Sequence, residues 1–213
     1  MPTVTVIDYG IGNLMSVARA FEHCGASIEL TDDPRKVEEA DYLVLPGVGA
    51  FADGMAGLAE RGLIDSIKAF ADKERPFLGI CLGMQMMLDE SEEFGANDGL
   101  GLIPGKVVAI PSTGSDGTPH KIPHIGWNEI TAPECTSWGN TILHDTLDRT
   151  PFYFVHSFSA VPEYQHHRLA DCLYNGALIS AAIRNNNMYG CQFHPEKSGK
   201  AGLQIIQSFL SKV

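Results

Sequence analysis

Four short apolar runs set the outline of this chain. TVTVID (Thr3–Asp8), SIEL (Ser27–Leu30), YLVLP (Tyr42–Pro46) and FLGI (Phe77–Ile80) are each followed by residues that break strands and start helices. After the first comes the glycine corner YGIGN, with Asn13 as a helix N-cap and Gly25 as the stop of a helix reaching Cys24. TDDP caps a short helix, helical segments cover about 51–72, and a further helix is expected over Leu82–Glu90. Short buried strands separated by helices require crossovers, so the expectation is an α/β fold: a mostly parallel open sheet with helices on both faces. Ligands of such sheets bind beyond the carboxyl ends of the strands.

The second half changes character. KVVAI, WNEI, FYFVHSF, RLADCLY, LISAAIR and MYGCQFH read as strands with little helix between them, which predicts antiparallel additions to the sheet before a closing helix over Ala201–Ser211. Pro111–Pro119 (PSTGSDGTP) has the composition of an exposed, mobile loop. Without a repeat or a linker, residues 1–213 read as one domain.

A formal net charge of -11 argues against nucleic acid or an anionic membrane as partner. Asp8 interrupts the only early apolar run, so the reading is a soluble, cytoplasmic protein. Cys24, Cys81, Cys135, Cys172 and Cys191 are scattered without a C-x-x-C, and read as free thiols. Cys191-x-x-His194 and the His166-His167 pair have no second ligand pair at zinc spacing, so no metal is expected.

One of those thiols stands apart. Gly79-Ile-Cys81-Leu-Gly83 is a strand–turn–helix elbow, G-x-S-x-G with cysteine in place of serine. A nucleophile at such a corner sits in strained backbone, and the flanking glycines leave room for the neighbouring chain. The following helix points its positive end at the sulfur, which favours thiolate. A general base is available in GCQFHPEKS: His194, with Glu196 two residues on, on the same side of an extended segment. Thiol, imidazole and carboxylate in that order make a nucleophilic triad of Cys81, His194 and Glu196. A rival reading takes Gly47–Ala52 (GVGAFA) as a weak dinucleotide-binding loop in a non-catalytic module.

The elbow GICLGMQ together with QFHPE resembles the class I glutamine amidotransferases. DYGIGNLMSV, LPGVGAF, GLGLIPGKV, KIPHIGWN and YFVHSF narrow the resemblance to the glutaminase subunits that serve histidine biosynthesis, and it runs from Val6 almost to the C-terminus. The elbow and triad alone do not separate these from γ-glutamyl peptidases or from glutaminases of other pathways, such as pyridoxal phosphate synthesis. The resemblance implies a flavodoxin-like sheet, L-glutamine as substrate and no cofactor. It also implies an oxyanion hole from Leu82 and the PGVG loop (Val48, Gly49), and glutamine contacts from Gly47, Gln85, His156, Ser157 and Phe158. The implied partner is a cyclase subunit, a (β/α)8 barrel forming a heterodimer, which meets the chain around Asn13, Trp127, Tyr153 and Lys197.

Overall fold

The computed structural model describes residues 1–134 and 136–211, so Cys135 lies outside the described residues. The early apolar runs form β1 (Thr3–Ile7), β2 (Ser27–Thr31), β3 (Tyr42–Leu45) and β4 (Phe77–Ile80). Between them lie α1 (Leu14–His23), α2 (Pro34–Glu39), α3 (Phe51–Glu60) and α4 (Leu63–Ala71). Asn13 Oδ1 accepts the Ser16 N–H and caps α1, and Asp33 caps α2 in the same way with Pro34 in its first turn. The helical region over 51–72 is divided by Gly62, whose φ of 65° no helix interior accommodates.

After β4 come α5 (Leu82–Met86), β5 (Leu88–Ser91), β6 (Asn97–Asp98), β7 (Ile103–Ala109), β8 (His124–Thr131), β9 (Pro151–His156) and β10 (Phe158–Pro162). The chain ends with β11 (Arg168–Tyr174), β12 (Ala177–Asn185), β13 (Met188–Cys191) and α6 (Gly199–Leu210). Among the described residues the large sheet has the order β2-β1-β3-β4-β13-β12-β11-β8-β9. Its pairings are parallel from β2 through β13 and antiparallel from there to β9.

Strand alternation feeds two cores, one on each face. Val4, Val6, Val44 and Leu78 pack with α1 and α6, where Phe21 and Phe209 meet edge to face at 6.1 Å. Ile7, Leu43, Leu45 and Phe77 pack with α2–α5 through Val37, Leu58, Ile67, Phe70 and Leu82.

Three elements differ from their sequence expectation. The helix expected over Leu82–Glu90 stops at Met86. The carbonyls of Met86, Met87 and Leu88 turn away to accept N–H groups from Leu100, Leu102, Ile103 and Gly101, and Leu88–Ser91 becomes a strand of a second sheet, β10-β7-β5-β6. Gly99 permits that close approach, because a side chain there would strike the Leu88 carbonyl. FYFVHSF is two strands rather than one: β9 joins the large sheet and β10 the small one, with Ser157 at the switch. MYGCQFH leaves the sheet at Cys191. The 111–119 loop is mostly exposed, yet it is held by a Thr113–Pro119 bridge and a Ser115 N–H bond to the Asn175 carbonyl.

Candidate active site

β4 and β13 are parallel neighbours, with Ile80 opposite Cys191, so the chain leaves both strands at the same sheet edge. Cys81 follows β4 with φ 54° and ψ −109°, a left-handed conformation that costs a non-glycine residue about 1–3 kcal/mol. Two bonds hold it there: its N–H donates to the Cys191 carbonyl at 2.7 Å, and its carbonyl accepts the Gln85 N–H at 3.1 Å. The flanking glycines supply space rather than unusual dihedrals. A Cβ on Gly83 would overlap the Leu45 carbonyl oxygen, and one on Gly79 would crowd Met87 Sδ and the Gly83–Met84 backbone. Because α5 spans only five residues, its dipole at the sulfur is weaker than the expected longer helix would give.

His194 is brought to the same edge by the segment leaving β13, where its N–H bonds the Tyr153 carbonyl. Its Nδ1 lies 2.8 Å from Glu196 Oε1, with both side chains almost wholly buried. The contact does not come from the extended backbone expected of the sequence. Residues Pro195–Lys197 form a single 3-10 turn, and that turn swings the carboxylate back under the ring. Burial alone would push the His194 imidazole down. Hydrogen bonding and charge attraction to Cys81 and to Glu196 outweigh it and hold the imidazole at about 9. Nε2 makes no hydrogen bond of regular geometry, so imidazole and thiol are close without being aligned.

Beside this pair opens a cavity of about 280 Å³ lined by Cys81, Leu82, Gln85, Glu93, Pro123 and the 155–158 segment, with Val48 and Gly49 on its other wall. Gly47 is not in that lining. A side chain there would collide with the Tyr9 hydroxyl, which donates to the Pro46 carbonyl at 2.8 Å and ties the loop down. The Gly47 carbonyl in turn accepts the Leu82 N–H at 3.3 Å, so that backbone donor is already engaged. Gly49 takes a φ of 107° and Val48 is part-exposed at the mouth.

Of the residues expected to meet glutamine, Gln85 Nε2 donates to the Phe158 carbonyl at 2.9 Å and to Gln192 Oε1 at 3.0 Å. His156 Nδ1 donates to the same Phe158 carbonyl at 2.8 Å, and the Ser157 carbonyl accepts the Ile110 N–H. His124 Nδ1 lies 2.9 Å from His156 Nε2, and since Nδ1 of His156 is the donor to a carbonyl, His124 must be the donor in that pair. Burial holds His156 far down, at about 3, so it is neutral.

Two residues at the site are not among those expected: Glu93, and Gln192, which opens the QFHPE motif but has no role assigned to it there. Glu93 is a buried carboxylate in the cavity wall, and its Oε2 accepts the Phe51 N–H at 2.7 Å at the start of α3. Gln192 is fully buried with Nε2 3.7 Å from Cys81 Sγ. Glu93 also bears on the dinucleotide reading of GVGAFA. A phosphate would need the N-terminus of α3, which the protein's own carboxylate already occupies.

Of the partner-facing candidates, Trp127 is more than half exposed and meets Tyr153 edge to face at 6.0 Å across the β8–β9 pair. Lys197 is exposed on the 3-10 turn beside them, tied in by the Ser198 hydroxyl bound to the Tyr153 N–H. Asn13 acts as the cap of α1, and α1 packs against that same turn. Cys191 is fully buried in the core with Phe193, where burial pushes its thiol up. Among the described residues no three His, Cys, Asp or Glu side chains are grouped to hold a metal ion, and no helix is long and apolar enough to cross a membrane.

Comparison with known proteins matches residues 5–213 to the family model "Glutamine amidotransferase class-I". The chain is 58% identical over 211 residues to "Imidazole glycerol phosphate synthase subunit HisH 1" of Legionella pneumophila (strain Lens), covering 99% of each chain. It is 42% identical to the HisH subunit of Geobacillus sp. (strain WCH70), covering 98% of this chain and 96% of that one. Among solved structures, PurLQS from Thermotoga maritima shares the fold with a TM-score of 0.73 at 19% identity, covering 98% of this chain and 97% of that one. By elbow, sheet and full-length identity, the chain belongs to the class I glutamine amidotransferases and, within them, to the HisH subunits of imidazole glycerol phosphate synthase.

Proposed function

We propose that this chain is the glutaminase subunit of imidazole glycerol phosphate synthase and that Cys81, His194 and Glu196 carry its chemistry. The observation supporting this most directly is the meeting of a strained thiol with a buried imidazole–carboxylate pair at one sheet edge, beside a cavity sized for one amino acid. Cys81 Sγ attacks the carbonyl carbon of the glutamine side-chain amide, and the His194 imidazolium gives its proton to the departing nitrogen. With the imidazole held at about 9, that proton is present at neutral pH when the substrate arrives. Ammonia leaves, and a γ-glutamyl thioester remains on Cys81. His194, now neutral, takes a proton from water. The hydroxide displaces sulfur, releasing glutamate, while Glu196 keeps the ring oriented and stabilises its charged form.

The pocket suits a glutamine zwitterion. Glu93 supplies a carboxylate for the α-ammonium, Gln85 reaches the cavity from α5, and the 156–158 backbone faces the amino-acid end. The tetrahedral oxyanion needs N–H donors from Leu82 and from Val48 or Gly49. Because the Leu82 N–H is bound to the Gly47 carbonyl, the resting loop must release it before the hole is complete. The cyclase subunit, a (β/α)8 barrel seated around Asn13, Trp127, Tyr153 and Lys197, supplies that trigger when its own nucleotide is bound. It receives ammonia under cover in the cytoplasm and forms imidazole glycerol phosphate and aminoimidazole carboxamide ribotide.

Glutamate release tests the reading directly. The rate should rise stepwise from the chain alone, to the chain with cyclase, to the complex with the cyclase's nucleotide ligand. Cys81→Ala should abolish it in all three. Normal turnover by Cys81→Ala would end this mechanism, and a full rate from the isolated chain would end the loop switch.

A further inference from the structure

Beyond the triad, one buried side chain reaches the reacting sulfur. Gln192 is completely inaccessible to solvent, so its amide must be satisfied from within. Its Oε1 accepts from Gln85 Nε2 at 3.0 Å, and that same nitrogen donates to the Phe158 carbonyl at 2.9 Å. A backbone carbonyl only accepts, so the direction of the chain is forced from that end. Gln85 must present its NH2 to Phe158, its second hydrogen fixes Gln192 by the oxygen, and the Gln192 NH2 is left aimed at Cys81 Sγ at 3.7 Å. His156 Nδ1 donates to the same Phe158 oxygen and reinforces its role as the acceptor that starts the relay.

We propose that Gln192 is a further catalytic residue, donating an amide N–H to the Cys81 sulfur, and that Gln85 is the positioning residue that sets its orientation. The proposal rests on the reading of Cys81 as the nucleophile. No proton changes hands at this contact. The N–H stabilises the anionic sulfur before attack, and again when the C–S bond of the thioester breaks and its electron pair returns to sulfur. With both hydrogens of Gln85 Nε2 in the relay, its Oε1 is the amide atom left to meet glutamine.

The experiment is the rate of alkylation of Cys81 by iodoacetamide, a neutral reagent, in the full isolated chain, followed by mass mapping of the residue-81 peptide. With the pH lowered until the rate tracks the thiolate fraction, Gln192→Met, which preserves length but removes the N–H, should slow alkylation about three-fold: a hydrogen bond to a charged atom is worth about ten-fold in thiolate, and the greater nucleophilicity of the thiolate that remains offsets part of that. Gln85→Met should give a similar loss, and the double variant should be no slower than Gln192→Met, because both break one relay. Gln192→Glu keeps the shape and places a carboxylate on the sulfur, so it should be slower still. It also keeps the test readable if Gln192→Met folds poorly by thermal melting. Unchanged alkylation in the Gln192 variants, or single effects that multiply in the double variant, would overturn the relay. Alkylation needs no turnover: a Cys81→Ala chain that still released glutamate would remove the mechanism while leaving the alkylation order to stand or fall by itself.

Discussion

Glu196→Gln separates charge from geometry in the triad. The amide oxygen of glutamine can occupy the place of Oε1, 2.8 Å from His194 Nδ1, so the ring keeps its orientation while the negative charge is lost. Both side chains are no more than 3% exposed, so solvent screens little of what is removed. A hydrogen bond to a charged group is worth about 1.5–3 kcal/mol against about 1 kcal/mol for a neutral one, which puts the loss at about 0.5–2 kcal/mol. At 1.4 kcal/mol per factor of ten, the rate of the steps that form or hold imidazolium should fall roughly 2- to 30-fold. The His194 titration should move down from about 9 by about one pH unit, because the carboxylate is one of the groups holding the proton on the ring. Steady-state glutamate release in the cyclase complex should show the drop in kcat with KM little changed, and ring NMR should show the shift. A loss as complete as that of Cys81→Ala, or no loss at all, would refute the assignment of Glu196 as an orienting, charge-stabilising group.

Further outcomes follow from the same geometry. His156 is held neutral with a value of about 3 against 6.5 unfolded, so between those pH values the unfolded chain binds a proton that the folded chain does not. Stability should therefore fall with acidification by up to about 1.4 kcal/mol per pH unit from this group, and urea melts of His156→Gln should show a flatter profile over that window. Gly83→Ala should lose both activity and several degrees of melting temperature, because its Cβ would enter the Leu45 carbonyl; a fully active, equally stable variant would contradict the packing of the elbow. Trp127→Ala, at an exposed aromatic beside Tyr153, should weaken cyclase binding at least ten-fold in titration calorimetry while leaving the chain's own melting temperature unchanged.

The features legible in the sequence were those with local causes. The β1–β4 runs, the caps at Asn13 and Asp33, and the Gly-x-Cys-x-Gly corner each depend on neighbours along the chain, and each lies where its residues direct. The misread elements depend on partners far away. Met86–Leu88 gave up helical bonding for residues 100–103, and the small sheet arises from that exchange, which no period in 82–90 announces. Ser157 looks like any strand residue until β7 takes β10 away from β9. The contacts of Glu93, and those of Gln192 within QFHPE, were invisible for the same reason: the helix start and the sulfur they touch lie 42 and 111 residues away. A lone Glu in an acidic run and a lone Gln between apolar residues look alike in sequence whether solvated or functional.

The position of the site follows from where the large sheet changes direction. Parallel pairing ends at β13, and antiparallel pairing begins there. β4 therefore ends beside a strand that shares its direction, so both chains exit at one edge and the thiol and imidazole meet without a long connecting loop. On the far side of the switch, β9 runs back to the same edge, and its backbone is held there by the His194 N–H on the Tyr153 carbonyl and the Ser198 hydroxyl on the Tyr153 N–H. The 155–158 segment that continues from β9 forms the cavity wall and supplies the Phe158 carbonyl that begins the relay to Cys81. A purely parallel sheet would need crossover helices in place of the direct antiparallel pairings of β12, β11, β8 and β9, and that wall would be left unbuilt. The antiparallel half thus closes the pocket and carries Trp127 and Tyr153 beside the segment that bears His194 and Lys197, so a partner docked on those aromatics would touch the backbone that holds His194.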